Sequence, residues 1–182
     1  MVNRGVILAL AMPLVASPKL ASPKLPSLNE KIVAYCEARV GQKVGTGQCA
    51  DLAQQALLSF GAADRYRRAP DAPNPGDYVW GRRVATVVPD RQDTAAILPG
   101  DVLQYRDVVF ERRTRFSWSQ STAAHHTSIV AEVCPGTLRV YEQNVNGRMT
   151  VGKTELALDD LKSGTLWVYR AAPVPLRTPA RR

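Results

Sequence analysis

Apolar residues recur at helical spacing twice early in the chain, and at alternating spacing after that. Ile32, Val33, Cys36 and Val40 form the first stripe. Ser27-Leu28-Asn29-Glu30 ahead of it fits a capping box, with Ser27 as N-cap and Glu30 reaching back, and Gly41 predicts the stop. Leu52, Ala53, Ala56, Leu57 and Phe60 form the second stripe, with Cys49 on the same face at its first turn. Gly45 and Gly47 break the chain before this helix, and Gly61 ends it.

Residues 69–77, rich in proline and aspartate, read as loop. From Tyr78 the period changes to that of strands. Tyr78-Val79-Trp80 and Val84 to Val88 are short candidates. Pro99-Gly100-Asp101 predicts a turn feeding Val102-Leu103-Gln104-Tyr105. Residues 107–124 carry little periodicity and read as a long rim loop. Thr127 to Val133 is a β-branched strand, and Pro135-Gly136 turns it into Leu138 to Tyr141. Met149 to Val151, a helical turn at Leu158 to Leu161, and Thr165 to Tyr169 follow. Helices first and an antiparallel meander afterwards predict an α+β fold with N-terminal helices packed on the sheet.

The charge changes this picture little. The formal net charge is +8, but residues 27–172 hold 18 Lys and Arg against all 16 Asp and Glu. That stretch is nearly neutral, and the basicity belongs to the two ends. Arg65-Tyr66-Arg67-Arg68 and Arg112-Arg113-Thr114-Arg115 lack the Gly and aromatic patterning of RNA-binding modules, so no nucleic-acid partner is expected. The N-terminus reads as an export leader. Arg4 precedes an apolar run from Val6 to Ala16, too short to span a bilayer. The repeat Ala16-Ser17-Pro18-Lys19-Leu20, Ala21-Ser22-Pro23-Lys24-Leu25 reads as an extended linker. These features divide the chain into a leader and linker over 1–26, one globular domain over 27–172 and a basic tail over 173–182. They set the expectation of a monomer that is secreted, periplasmic or held in the cell envelope.

Candidate chemistry rests on few residues. The three cysteines, Cys36, Cys49 and Cys134, lack CxxC spacing, and the only histidines are His125 and His126. No zinc or haem pattern exists, and neither a metal nor another cofactor is expected. A Cys36–Cys134 bridge and an unbridged core Cys36 both remain open. Cys49 stands at a helix N-terminus, where the macrodipole and unpaired N–H groups favour a thiolate. Its base must be His125 or His126, and alternation along the strand puts these on opposite faces. The following strand ends in Glu142-Gln143-Asn144, whose carboxylate and second amide share one face and fall near a histidine. Nucleophile, base and orienter are the parts that thiol acyl transfer needs.

Four short motifs in order carry a family resemblance. They are Gly47-Gln48-Cys49 opening a helix, Pro99-Gly100-Asp101-Val102-Leu103-Gln104-Tyr105, His126 opening a strand, and Glu142-x-Asn144-x-Asn146-Gly147. Together they resemble the CHAP and NlpC/P60 branch of papain-like cysteine peptidases and amidases. His-His-Thr before a strand and Gly-Thr-Leu-Trp-Val-Tyr-Arg near the end resemble a related branch. That branch includes uncharacterised bacterial proteins and the C-terminal domain of certain fungal actin-patch proteins. Ala50-Asp51-Leu52 departs from CHAP domains, which often carry an aromatic soon after the cysteine.

The resemblance implies a papain-like fold with Cys49 as nucleophile and His126 as base. Glu142 or Asn144 would orient the imidazole. Backbone N–H groups at Gln48–Cys49, with the Gln48 side chain, would stabilise the oxyanion. Trp80, Phe116 and Trp118 are candidate groove aromatics, with core packing an equal reading for Trp80. The implied function is hydrolysis of a peptide or peptidoglycan-type amide. The competing reading is a catalytically silent papain-fold binding domain.

Overall fold

The computed structural model describes residues 25–62 and 78–173. The leader, most of the linker, the loop at 69–77 and the tail beyond Pro173 lie outside the described residues. Two helices, α1 (Ser27–Glu37) and α2 (Cys49–Ser59), precede six strands. The strands are β1 (Arg82–Val87), β2 (Val102–Arg113), β3 (Trp118–Cys134), β4 (Thr137–Glu142), β5 (Gly152–Ala157) and β6 (Leu161–Arg170). They form one antiparallel sheet in the order β1-β6-β2-β3-β4-β5. The expected meander holds for β2 to β5, while β6 inserts between β1 and β2.

The sheet is curled, and the connection from β5 to β6 requires it. Three strands separate these two, yet only the 3-10 turn Leu158–Asp160 joins them. Four flat inter-strand spacings would cover about 19 Å. The four Cα steps from Ala157 to Leu161 reach at most about 14 Å. Curling brings the ends together and gives the sheet two buried faces. The outer face packs Val102, Ile129, Tyr141 and Tyr169 against Ile32, Cys36, Leu52, Ala56 and Leu57 of the helices. The inner face buries Leu103, Val130, Leu138, Val140, Leu166 and Val168.

Several expectations are corrected. α1 begins at Ser27 behind Pro26 without a side-chain cap, so the capping box does not form. Val40 is exposed, because the helix ends at Glu37 and the chain turns to bridge Val151. Tyr78-Val79-Trp80 is not a strand. The largest difference is at 107–124, which forms the distal halves of β2 and β3, paired from Val108–Ala123 to Arg113–Trp118. This hairpin is mostly exposed toward its tip, so burial imposes no alternation there for a sequence reading to find.

Asp101 ties the layers together. Its buried carboxylate accepts from Asn29 Nδ2 at 2.9 Å, Leu98 N at 2.9 Å, and Arg170 Nε and Nη2 at 2.9 and 2.8 Å. The pairing joins α1, the turn before β2 and the end of β6. Gly100 is required there: its φ is +85°, and a Cβ would lie 2.6 Å from the Asn29 carbonyl oxygen.

Candidate active site

The site forms where β3 and β4 part. Their ladder runs from Cys134–Thr137 to Ile129–Tyr141 and goes no further. The N-terminus of α2 reaches this point, and Cys49 is its first residue. The preceding loop is set by Asp51, whose Oδ2 accepts from Thr46 N at 2.8 Å and Thr46 Oγ1 at 2.6 Å. Gly45, at φ +58°, faces this carboxylate so closely that a Cβ would lie 2.9 Å from Oδ2.

His126 and Glu142 meet across the opening. His126 Nε2 lies 2.8 Å from Glu142 Oε2, and both side chains are largely buried. Thr154 Oγ1 donates to the other Glu142 oxygen. The Cys49 side chain is the second hydrogen-bond partner of the imidazole. The Tyr105 ring packs edge-on against the imidazole, with centroids 5.1 Å apart, and its hydroxyl is bonded to Ser128 Oγ at 2.8 Å. His126 therefore has two side-chain partners, Glu142 and Cys49, and an aromatic ring packed against its own.

The electrostatics favour an ion pair. Burial works against a charged Cys49, but the bond and charge of His126, with the N–H groups of Thr127 and Ala50, outweigh it and hold the thiol below its ordinary value. Burial also opposes a charged His126, yet bonds to Cys49 and Glu142 push the imidazole up to about 9. Both shifts favour the thiolate–imidazolium form of the pair over its neutral form. Cys36 is the opposite case: burial pushes its thiol far up and leaves it inert. All three cysteines are free, so Cys36 and Cys134 are not bridged.

The other expected residues divide clearly. His125 lies outside the pair, exposed and bonded to Arg106 Nη1 at 2.8 Å. Asn144 does not reach the imidazole. The chain leaves the strand after Glu142, Asn144 takes φ +62°, and its Nδ2 donates to Gln48 Oε1 at 3.0 Å. Trp80 is not a groove residue: it is fully buried in the outer core and donates to Gln104 Oε1 at 3.2 Å. Phe116 and Trp118 are exposed at the tip of the β2–β3 hairpin.

A cleft of about 540 Å³ opens beside the pair, lined among others by Tyr105, Phe110, Thr122, His126, Glu142 and Asn144. The sequence reading missed Tyr105, Asp51, Thr154 and Gln143. For Gln143 a signal was present: the alternation that sets Glu142 and Asn144 on one face sends Gln143 to the other, toward the helices.

The family model for the AIM3/BBC1 cysteine proteinase-fold domain matches residues 25–177. The chain belongs to this family. It is 33% identical over 150 residues, 79% of its length, to Altered inheritance of mitochondria protein 3 of Debaryomyces hansenii, and spans 16% of that relative. Two crystal structures of Ly7917 are also similar, one of them with the hydrolyzing product of MDP. Their TM-scores are 0.46 and 0.47 at 14% and 16% identity, over 78% of this chain and 62% of theirs. Kinship of this AIM3/BBC1 domain with a yeast protein named for mitochondrial inheritance overturns the expected secreted, periplasmic or envelope placement. Among the described residues, no helix is long and apolar enough to cross a membrane.

Proposed function

We propose that this AIM3/BBC1 domain, over residues 27–172, is a cysteine-dependent amide hydrolase. One observation carries the proposal: Cys49, His126 and Glu142 form a continuous hydrogen-bonded chain at a helix N-terminus. Cys49 Sγ attacks the amide carbonyl, forming the C–S bond of a tetrahedral adduct. The His126 imidazolium then donates its proton to the amide nitrogen as the C–N bond breaks. Water, deprotonated by the neutral imidazole, cleaves the thioester and restores the pair. Glu142 holds the imidazole and stabilises its charge. Backbone N–H groups at the start of α2 receive the oxyanion.

Within the cysteine-proteinase fold, Glu142-x-Asn144-x-Asn146-Gly147 supports a CHAP or NlpC/P60-like site. The substrate class is a peptide or peptide-like amide, including peptidoglycan stems. The test incubates wild type and Cys49→Ala with a defined peptide mixture and with purified peptidoglycan, and reads products by mass spectrometry. Products that need Cys49 are expected; their absence from both substrates removes the hydrolase reading for them.

The second reading, a silent binding domain, draws on kinship with a relative of which this chain spans only 16%. It predicts a Cys49 no more reactive than Cys134.

A further inference from the structure

We infer that Gln143 is a positioning residue that sets the oxyanion-binding peptide of the site. This inference rests on the hydrolase reading. Gln143 is fully buried between Glu142 and Asn144, and its amide grips the loop that presents the nucleophile. Its Oε1 accepts from Val44 N at 3.2 Å, and its Nε2 donates to Val44 O at 3.0 Å and Gln48 O at 2.7 Å. The Gln48 carbonyl oxygen also accepts from Asp51 N at 3.0 Å.

The peptide plane gives these bonds a chemical consequence. In a trans peptide the C=O and N–H point in opposite directions. No cis peptide occurs among the described residues. Fixing the Gln48 carbonyl toward Gln143 therefore fixes the Cys49 N–H away from it. As the first residue of α2, Cys49 has an N–H with no acceptor inside the helix. That donor belongs to the reacting residue itself and is the one an oxyanion on the attacked carbon meets. Three successive residues thus hold three parts of the site. Glu142 holds the base, Gln143 the backbone of the nucleophile loop, and Asn144 the Gln48 side chain.

Two reagents separate this role from a general structural one. Iodoacetamide alkylates a thiolate by displacing iodide and forms no oxyanion. 4-Nitrophenyl acetate transfers its acetyl group through a tetrahedral oxyanion: the Sγ–C bond forms, the ester C–O bond breaks, and 4-nitrophenolate leaves with the electron pair. Alkylation is followed at Cys49 by mass spectrometry, and acetylation by the release of 4-nitrophenolate with Cys49→Ala as the background, in wild type, Gln143→Glu and Gln143→Met. Gln143→Glu keeps an acceptor for Val44 N and loses the donor to Gln48 O.

The inference predicts that acetylation falls about 30- to 100-fold in both variants. Alkylation, and its dependence on pH, should stay within about threefold of wild type, because the Cys49–His126 pair is untouched. Equal losses in both reactions, in either variant, make Gln143 merely structural and overturn the inference, as does unchanged acetylation. If wild-type Cys49 alkylates readily but is not acetylated above the background, the hydrolase reading itself fails.

Discussion

His126 Nε2 stands 2.8 Å from Glu142 Oε2, although the two residues lie on adjacent strands that no longer pair at that level. The parting leaves room for Cys49 beside the imidazole. It also sets the Glu142 carboxylate, rather than the Asn144 amide, against the imidazole.

That placement separates two residues the sequence ranked together. Glu142→Ala should lower turnover by about 10²- to 10⁴-fold, because the imidazole loses both its orientation and its counter-charge. Asn144→Ala, which breaks only the bond to the Gln48 side chain, should cost about tenfold or less. Steady-state kinetics on whichever amide substrate emerges makes the comparison. A larger loss from Asn144→Ala would reverse the roles.

The pH profile follows from the two shifts. The Cys49 thiol sits below its ordinary value of 9.0, and His126 is raised from 6.5 to about 9. The thiolate–imidazolium form is lost on the acid side as the thiol regains its proton. It is lost on the alkaline side as the imidazolium gives up the proton the leaving group needs. Turnover against pH should be bell-shaped, with its alkaline limb near 9. Glu142→Gln removes a charge that favours the imidazolium and should move that limb to lower pH.

Arg170 tests the frame behind the site. Asp101 is fully buried, and Arg170 is its charged partner from β6. Arg170→Met should destabilise the fold by about 3 kcal/mol, since it strands a buried carboxylate with only Asn29 and the Leu98 N–H. Urea denaturation should show a lower midpoint at an unchanged slope. The double variant Asp101→Asn, Arg170→Met should recover part of the loss, because no buried charge remains.

The fold and the site were legible to different depths. Both helices stand out because their inner faces meet a core: Leu52, Ala53, Ala56 and Leu57 are buried at helical spacing. The distal hairpin was lost for the opposite reason, since residues such as Arg112, Arg113, Phe116 and Trp118 face solvent and obey no period. Cys49 and His126 were within reach because so few residues compete for their chemistry. The choice between Glu142 and Asn144 was not, because it depends on where the chain leaves the strand. Asn144 adopts a left-handed conformation there, and alternation ends with it. For Trp80 the groove and the core were both open readings, because a single aromatic before a strand carries no period to decide between them. Its partner Gln104, which also accepts from Thr127 Oγ1 at 3.1 Å, lies on β2 and holds it inside.

The proposed mechanism requires that Cys49 be a thiolate paired with His126. It is tested most directly by the iodoacetamide alkylation rate at each cysteine, resolved by peptide mass spectrometry from pH 4 to 10. Cys49 should label rapidly into mildly acidic pH, and buried Cys36 almost not at all. Labelling at Cys134 should be slow, and His126→Ala should shift the Cys49 profile to higher pH. Slow Cys49 labelling that rises only above pH 8 and is unchanged in His126→Ala would overturn it.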